Sequence, residues 1–283
     1  MTVTVRLFVL YLTLSGAVAC ATHGVSPAEV AKPVELKVEV PLHGKPLTLH
    51  LTKPAAALDP NVLVLYASGD GGWFGTAVDM FHEIGRAGFA AVGFSSRAFL
   101  RIDRPRHKTL DPLQLAAEYA EILDRAQETL GLAASSKAVL TGWSRGAAFA
   151  VLASGETPMS SRTRGVVAIG LSDGEDLAVS EAGDDEGEPT QAGRPWPFLP
   201  YRRIASLGAL PVAVIQATHD QFLPAAGGRA LFGADTASRR FVAIEAKNHR
   251  FSGGKEAFAA AFQEALRWTA SVPSAVTPIH EVP

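Results

Sequence analysis

The chain has 283 residues, of which 47% are hydrophobic and 19% charged. That is enough apolar material for one large α/β domain or two small ones, and too much for global disorder. A formal net charge of −2 excludes the basic excess of a nucleic-acid binder, and a single cysteine excludes an intrachain disulfide.

At the N-terminus Arg6 is the only charge before the apolar run Leu7 to Leu14, and Ala17-Val18-Ala19-Cys20 follows. A basic start, a short apolar core and an A-x-A end predict a secretory signal over residues 1–20. The run is too short for a comfortable membrane span. The expected location is therefore outside the cytoplasm, in a periplasm. Cys20 stands where a bacterial lipoprotein carries its lipidated cysteine, although Ala17 replaces the usual leucine, so a lipid anchor at Cys20 is left open. Residues 21–33 read as a tether.

Val34 to Val40 and Leu47 to Leu51 alternate apolar with polar side chains around the turn residues His43-Gly44-Lys45, which predicts an antiparallel hairpin. The pattern then changes. Val62 to Tyr66, Ala90 to Phe94, Ala138 to Leu140, Val166 to Ile169, Val212 to Ile215 and Phe241 to Ile244 are continuously apolar, as strands covered on both faces are. Between them Leu115, Tyr119, Ile122, Leu123, Ala126 and Leu130 recur at helical spacing after the cap signal Asp111-Pro112, and Phe258, Phe262 and Leu266 form a second stripe. The predicted fold class is α/β: a mainly parallel central sheet with helices on both faces, and the hairpin at one edge, over residues 34–270. Residues 172–200 break this rhythm. They are acidic first, then run Arg194-Pro195-Trp196-Pro197-Phe198-Leu199-Pro200, and they read either as a solvated loop or as a lid. Residues 271–283 read as a loose tail.

Gly142-Trp143-Ser144-Arg145-Gly146 is a G-x-S-x-G motif with an apolar strand before it and a small-residue helix after it. This is the context of a nucleophile elbow, which holds a serine above the end of a sheet. Serine needs a base within reach and a carboxylate to orient that base. His249 follows the last strand and Asp220 the one before it, so both fall at the same sheet edge as Ser144. His219 is the competing base and Asp173 the competing acid. The remaining histidines, His23, His43, His50, His82, His107 and His280, read as surface or packing residues.

The expected oxyanion donors are the backbone N–H of Arg145 and that of Asp70 or Gly71, in the glycine-rich loop Ser68-Gly69-Asp70-Gly71-Gly72-Trp73. This loop ends without a lysine and matches no dinucleotide or Walker pattern. No cofactor and no metal is needed. Trp73 either packs in the core or floors the pocket. Trp143, beside the nucleophile, is a candidate substrate contact. Arg97 and Arg145 either grip a phosphate or are surface arginines, with a salt bridge to Asp70 as one alternative.

With these motifs the chain resembles the serine α/β-hydrolases over residues 34–270. Its Ser68–Trp73 loop, the elbow at Ser144 and the late His249 are similar to those of the VirJ/AcvB family of bacterial periplasmic virulence proteins. The resemblance implies a lipid ester at a membrane surface, since some members hydrolyse aminoacylated phosphatidylglycerol. The acidic segment suits attraction of a lysyl head group. The expected partner is a small-molecule or lipid ester substrate, and two other readings stand beside this one: a periplasmic interaction module with an envelope protein partner and a vestigial triad, and a peptidase or thioesterase on the same fold.

Overall fold

The computed structural model describes residues 33–54, 56–102, 109–178 and 196–272. The expected signal with Cys20, nearly all of the tether, the middle of the acidic excursion and the tail beyond residue 272 lie outside the described residues.

One eight-stranded sheet forms the frame, in the order β1-β2-β4-β3-β5-β6-β7-β8. Its strands are β1 (Val34–Leu42), β2 (Lys45–Lys53), β3 (Val62–Ala67), β4 (Ala90–Phe94), β5 (Lys137–Trp143), β6 (Thr163–Ile169), β7 (Val212–Ala217) and β8 (Arg239–Ile244). The helices are α1 (Thr76–Arg86), α2 (Ser96–Arg101), α3 (Pro112–Leu130), α4 (Arg145–Ser154), α5 (Thr157–Ser160), α6 (Pro200–Ser206), α7 (Ala225–Phe232) and α8 (Lys255–Ser271). The hairpin differs in one respect from a simple antiparallel edge. β2 is antiparallel to both β1 and β4, so β2 alone runs against the sheet and β1 runs with it.

Period-2 alternation within buried strands builds two cores, one on each face. In β3, Leu63, Leu65 and Ala67 enter one cluster, with α3 and α4. Val62, Val64 and Tyr66 enter the other, with α1 and α8. The fully apolar strands are thus a consequence of cover on both sides. α3 begins where its cap signal placed it: the Asp111 carboxylate accepts from Leu113 N at 2.7 Å, and Gly131 ends the helix in the left-handed region at φ 64°. α4 is apolar all round because it lies within the first cluster, between the strands and α3, α5 and α6, and every residue from Gly146 to Ser154 is buried.

β3 has β4 on one side and β5 on the other. The chain leaves β3 in one direction and returns to cross it, which opens a crevice at the carboxyl ends of β3 and β5.

Candidate active site

Ser144 sits at the junction of β5 and α4 with φ 57° and ψ −123°. A non-glycine residue pays about 1–3 kcal/mol for such a backbone, and it persists only where its surroundings over-determine it. Here they do. Ser144 N donates to Ile169 O at 2.8 Å, and Ser144 O accepts from Ala147 N at 2.9 Å. The motif glycines act by close approach, and neither carries the positive φ, which falls on the serine itself. A Cβ on Gly142 would lie 2.3 Å from the Gly146 backbone, and one on Gly146 would lie 2.1 Å from Ala67 O. The glycines let strand, helix and the neighbouring β3 come together beneath the serine.

His249, in the β8–α8 loop, and Asp220, after β7, are both buried. His249 Nδ1 lies 2.6 Å from Asp220 Oδ2. The carboxylate is itself held: Oδ2 accepts from Gln216 Nε2 at 3.1 Å and Oδ1 from Phe222 N at 2.9 Å. The imidazole stacks on Trp143 at 5.3 Å and meets Phe222 edge-on at 5.0 Å. Trp143 Nε1 donates to the His249 carbonyl at 3.2 Å. Gly170 (φ 58°) passes so close beneath the ring that a Cβ there would lie 2.6 Å from Cε1. A carboxylate at Nδ1 assigns the proton to that nitrogen and leaves a lone pair on Nε2. His249 Nε2 is buried and makes no hydrogen bond among the described residues. Trp143, the residue before Ser144, therefore ties the elbow to His249 through its Nε1 and its ring.

The competing pair separates cleanly. His219 turns outward, with 68% of its side chain exposed, and its ring faces Thr218 Oγ1 at 2.9 Å. Asp173 is exposed, and the carboxylate bonded to His249 is that of Asp220.

The glycine-rich loop after β3 is fixed through one carbonyl. Gly69 O accepts from Ser96 Oγ at 2.9 Å, Gly72 N at 3.0 Å and Ser68 Oγ at 3.1 Å. In a planar trans peptide the next N–H points the opposite way, so these bonds aim Asp70 N–H away from the loop interior. Among the described residues, the N–H groups of Asp70, Gly71 and Arg145 donate to no other backbone group.

The Arg145 guanidinium is not poised to grip a phosphate. Its side chain is only 10% exposed, and it is engaged by Asp70 Oδ1 (2.7 Å), Glu175 Oε1 (3.2 Å, not aligned as a hydrogen bond) and Asp176 Oδ1 (3.4 Å). It also donates to Ala178 O at 3.0 Å. Arg97, at the start of α2, is half-buried and lies within electrostatic reach of Asp70. Trp73 stacks on His50 at 4.2 Å and contacts Tyr66 and Phe81. Its ring is thus engaged in packing over β2 and β3, and Trp143 is engaged in supporting His249.

Glu175 is the residue that the sequence did not single out. It sits in the acidic run, yet its side chain is 6% exposed and accepts from Asp176 N at 3.0 Å and Leu177 N at 2.9 Å. Burial pushes its carboxyl up to about 7, against the pull of Arg145. Phe198 pairs with Glu175 backbone to backbone, a tertiary contact that no sequence signal announces.

No protein-family model matches the chain, and no curated protein matches it in sequence. Solved structures do. A dienelactone hydrolase from Anabaena variabilis is similar at TM-score 0.58 and 20% identity, over 84% of this chain and 98% of that one. The esterase domain of a Rhodothermus marinus protein is similar at TM-score 0.55 and 20% identity, again over 84% and 98%. DcsB, solved with a substrate analogue, is similar at TM-score 0.63 and 16% identity, over 84% and 100%. The fold is that of the α/β-hydrolases. At these identities the likeness carries the architecture, and the chemistry rests on the residues just described.

Proposed function

We propose that this chain is a serine hydrolase that cleaves a carboxylic ester through an acyl-enzyme. The observation that carries the reading is the buried His249–Asp220 pair, bonded at 2.6 Å with Nε2 left unpaired, packed on Trp143 of an elbow whose serine is held at φ 57°. In this reading Ser144 Oγ attacks the ester carbonyl while His249 Nε2 takes its proton. Asp220 keeps the imidazole in the required tautomer and stabilises the imidazolium. The negative charge on the former carbonyl oxygen is met by the N–H groups of Arg145 and of Asp70 or Gly71. Collapse breaks the ester C–O bond, and the departing alcohol takes the proton from Nε2. Water, activated by the same nitrogen, then releases the carboxylic acid and restores Ser144.

The resemblance of the Ser68–Trp73 loop to VirJ/AcvB supports an aminoacylated phosphatidylglycerol as the first substrate to try. The N-terminal pattern supports export to a periplasm, with Cys20 as the point of lipid attachment. Both belong to the proposal.

Fluorophosphonate labelling of the purified protein, mapped by peptide mass, is the direct test. Labelling confined to Ser144 is expected, and Ser144→Ala should lower ester turnover by about four orders of magnitude or more. A Ser144→Ala protein with undiminished turnover would refute the assignment. A folded protein that takes no label at all would favour an interaction module in its place.

A further inference from the structure

Three segments that are distant in sequence meet at the Arg145 guanidinium. One is the elbow, to which Arg145 itself belongs. The second is the β3–α1 loop, through Asp70 at 2.7 Å. The third is the stretch after β6, through Glu175 at 3.2 Å, Asp176 at 3.4 Å and the Ala178 carbonyl at 3.0 Å. Arg145 and Glu175 are nearly sealed from solvent, whereas 53% of the Asp70 side chain is exposed. A buried cation among carboxylates is weak evidence for stability, because desolvation offsets much of the attraction. The arrangement calls for a different account, and the position of its members supplies one. The two residues joined at 2.7 Å are two of the three, with Gly71, whose backbone N–H groups donate to no other backbone group among the described residues and are the candidate oxyanion donors. Tying their side chains together sets the distance between those donors.

We propose that Glu175 is a positioning residue for acyl transfer: it holds the Arg145 guanidinium against Asp70, and so holds the Asp70 and Arg145 N–H groups at the spacing that the oxyanion requires. The proposal rests on the serine-hydrolase reading above. The Gly69–Asp70 peptide is then anchored at both ends. Its carbonyl is held by Ser96 Oγ at 2.9 Å, and the Asp70 carboxylate is held by Arg145. Glu175 is in turn immobile, because the N–H groups of Asp176 and Leu177 bind its Oε1 and Phe198 pairs with its backbone. The order of connection is Glu175, Arg145, Asp70, donor. Glu175 touches no reacting atom.

The test is steady-state hydrolysis of a p-nitrophenyl ester by the wild type, Ser144→Ala, Glu175→Gln, Asp70→Asn and the Glu175→Gln/Asp70→Asn double variant, each with its melting temperature. Removing one oxyanion donor outright costs about 100- to 1,000-fold in kcat. Loosening a donor should cost less, about 10- to 100-fold, with KM changed by less than about 3-fold because the contact matters in the transition state. Affinity for phenylboronic acid, a tetrahedral mimic, should fall by the same factor as kcat. The double variant should be no worse than the worse single variant, since both act on one chain of contacts. Ser144-dependent turnover with Glu175→Gln and Asp70→Asn at wild-type kcat would overturn the positioning role alone. Wild-type turnover equal to that of Ser144→Ala would overturn the hydrolase reading and this role with it. If Glu175→Gln melts below the assay temperature, the half-exposed Asp70→Asn decides the matter: a drop in kcat supports the role, and an unchanged kcat ends it.

Discussion

Two residues carry energetic costs that only their neighbours explain. The first is Asp220, a buried carboxylate that the fold tolerates because Gln216 Nε2, Phe222 N and His249 Nδ1 all donate to it. Asp220→Asn presents an amide in place of an acceptor and favours the wrong imidazole tautomer. Turnover should fall by about four orders of magnitude with the fold intact, read by ester kinetics and circular dichroism. A mild loss would show that the Asp220–His249 bond does not serve turnover. The second is Glu175, whose carboxyl is raised by burial to about 7 from an ordinary 4.5. The folded protein then binds this proton more tightly than the unfolded chain does. Stability attached to Glu175 is therefore lost as pH rises through the interval between those values, and the penalty persists above it. Glu175→Gln cannot ionise and escapes that loss. Its melting temperature relative to wild type should rise between about pH 5 and pH 8, measured by calorimetry in a series of buffers. A flat difference would mean that Glu175 ionises in the folded protein as it does in an unfolded chain.

At the scale of elements, the elbow is a three-body contact among β5, α4 and β3, and its glycines are its contact surfaces. Gly146 leaves no room for a methyl group, with Ala67 O at 2.1 Å from a built Cβ, whereas Gly131 at the end of α3 has nothing within 4 Å and only a φ of 64° to protect. The two should respond differently to alanine. Gly131→Ala incurs the left-handed backbone strain, about 1–2 kcal/mol. Gly146→Ala must lift α4 off the strand, which costs about 3 kcal/mol or more and displaces Ser144 as well. Urea unfolding of both variants checks the ranking, and an equal loss would count against close approach as the reason for Gly146. The strands were legible because burial on both faces writes itself as unbroken apolar runs, and Ala90–Phe94 begins and ends where its run does. Other strands extend past their apolar cores. β6 starts at Thr163, three residues before Val166, because ladder pairing with β5 continues where side-chain patterning has stopped. The hairpin was legible as a pair, yet its direction within the sheet was not, since alternation does not specify which neighbour a strand finds.

For the whole molecule, the candidate triad was legible from order alone. In a parallel sheet the carboxyl ends of the strands share one edge, so Ser144, Asp220 and His249 had to fall on that edge once the strands were placed. The Arg145 cluster was not legible. An acidic run without periodicity reads as solvated, and nothing in residues 172–178 says that Glu175 turns inward while Asp173 stays exposed. That direction is set by the left-handed backbone at Leu177 (φ 52°) and the pairing with Phe198, both tertiary facts. The same convergence bounds the folding unit. Among the described residues both cores fall within 40–270, and the last strand packs under α8, whose Phe258, Phe262 and Leu266 are buried. A chain of residues 33–272 should therefore unfold in one cooperative step, with a midpoint close to that of the full chain, and keep Ser144-dependent turnover on a soluble ester. Denaturant titration by fluorescence and by circular dichroism should give coincident curves. Separate transitions, or turnover lost in a chain that still folds, would show that residues outside 33–272 complete the core or the site.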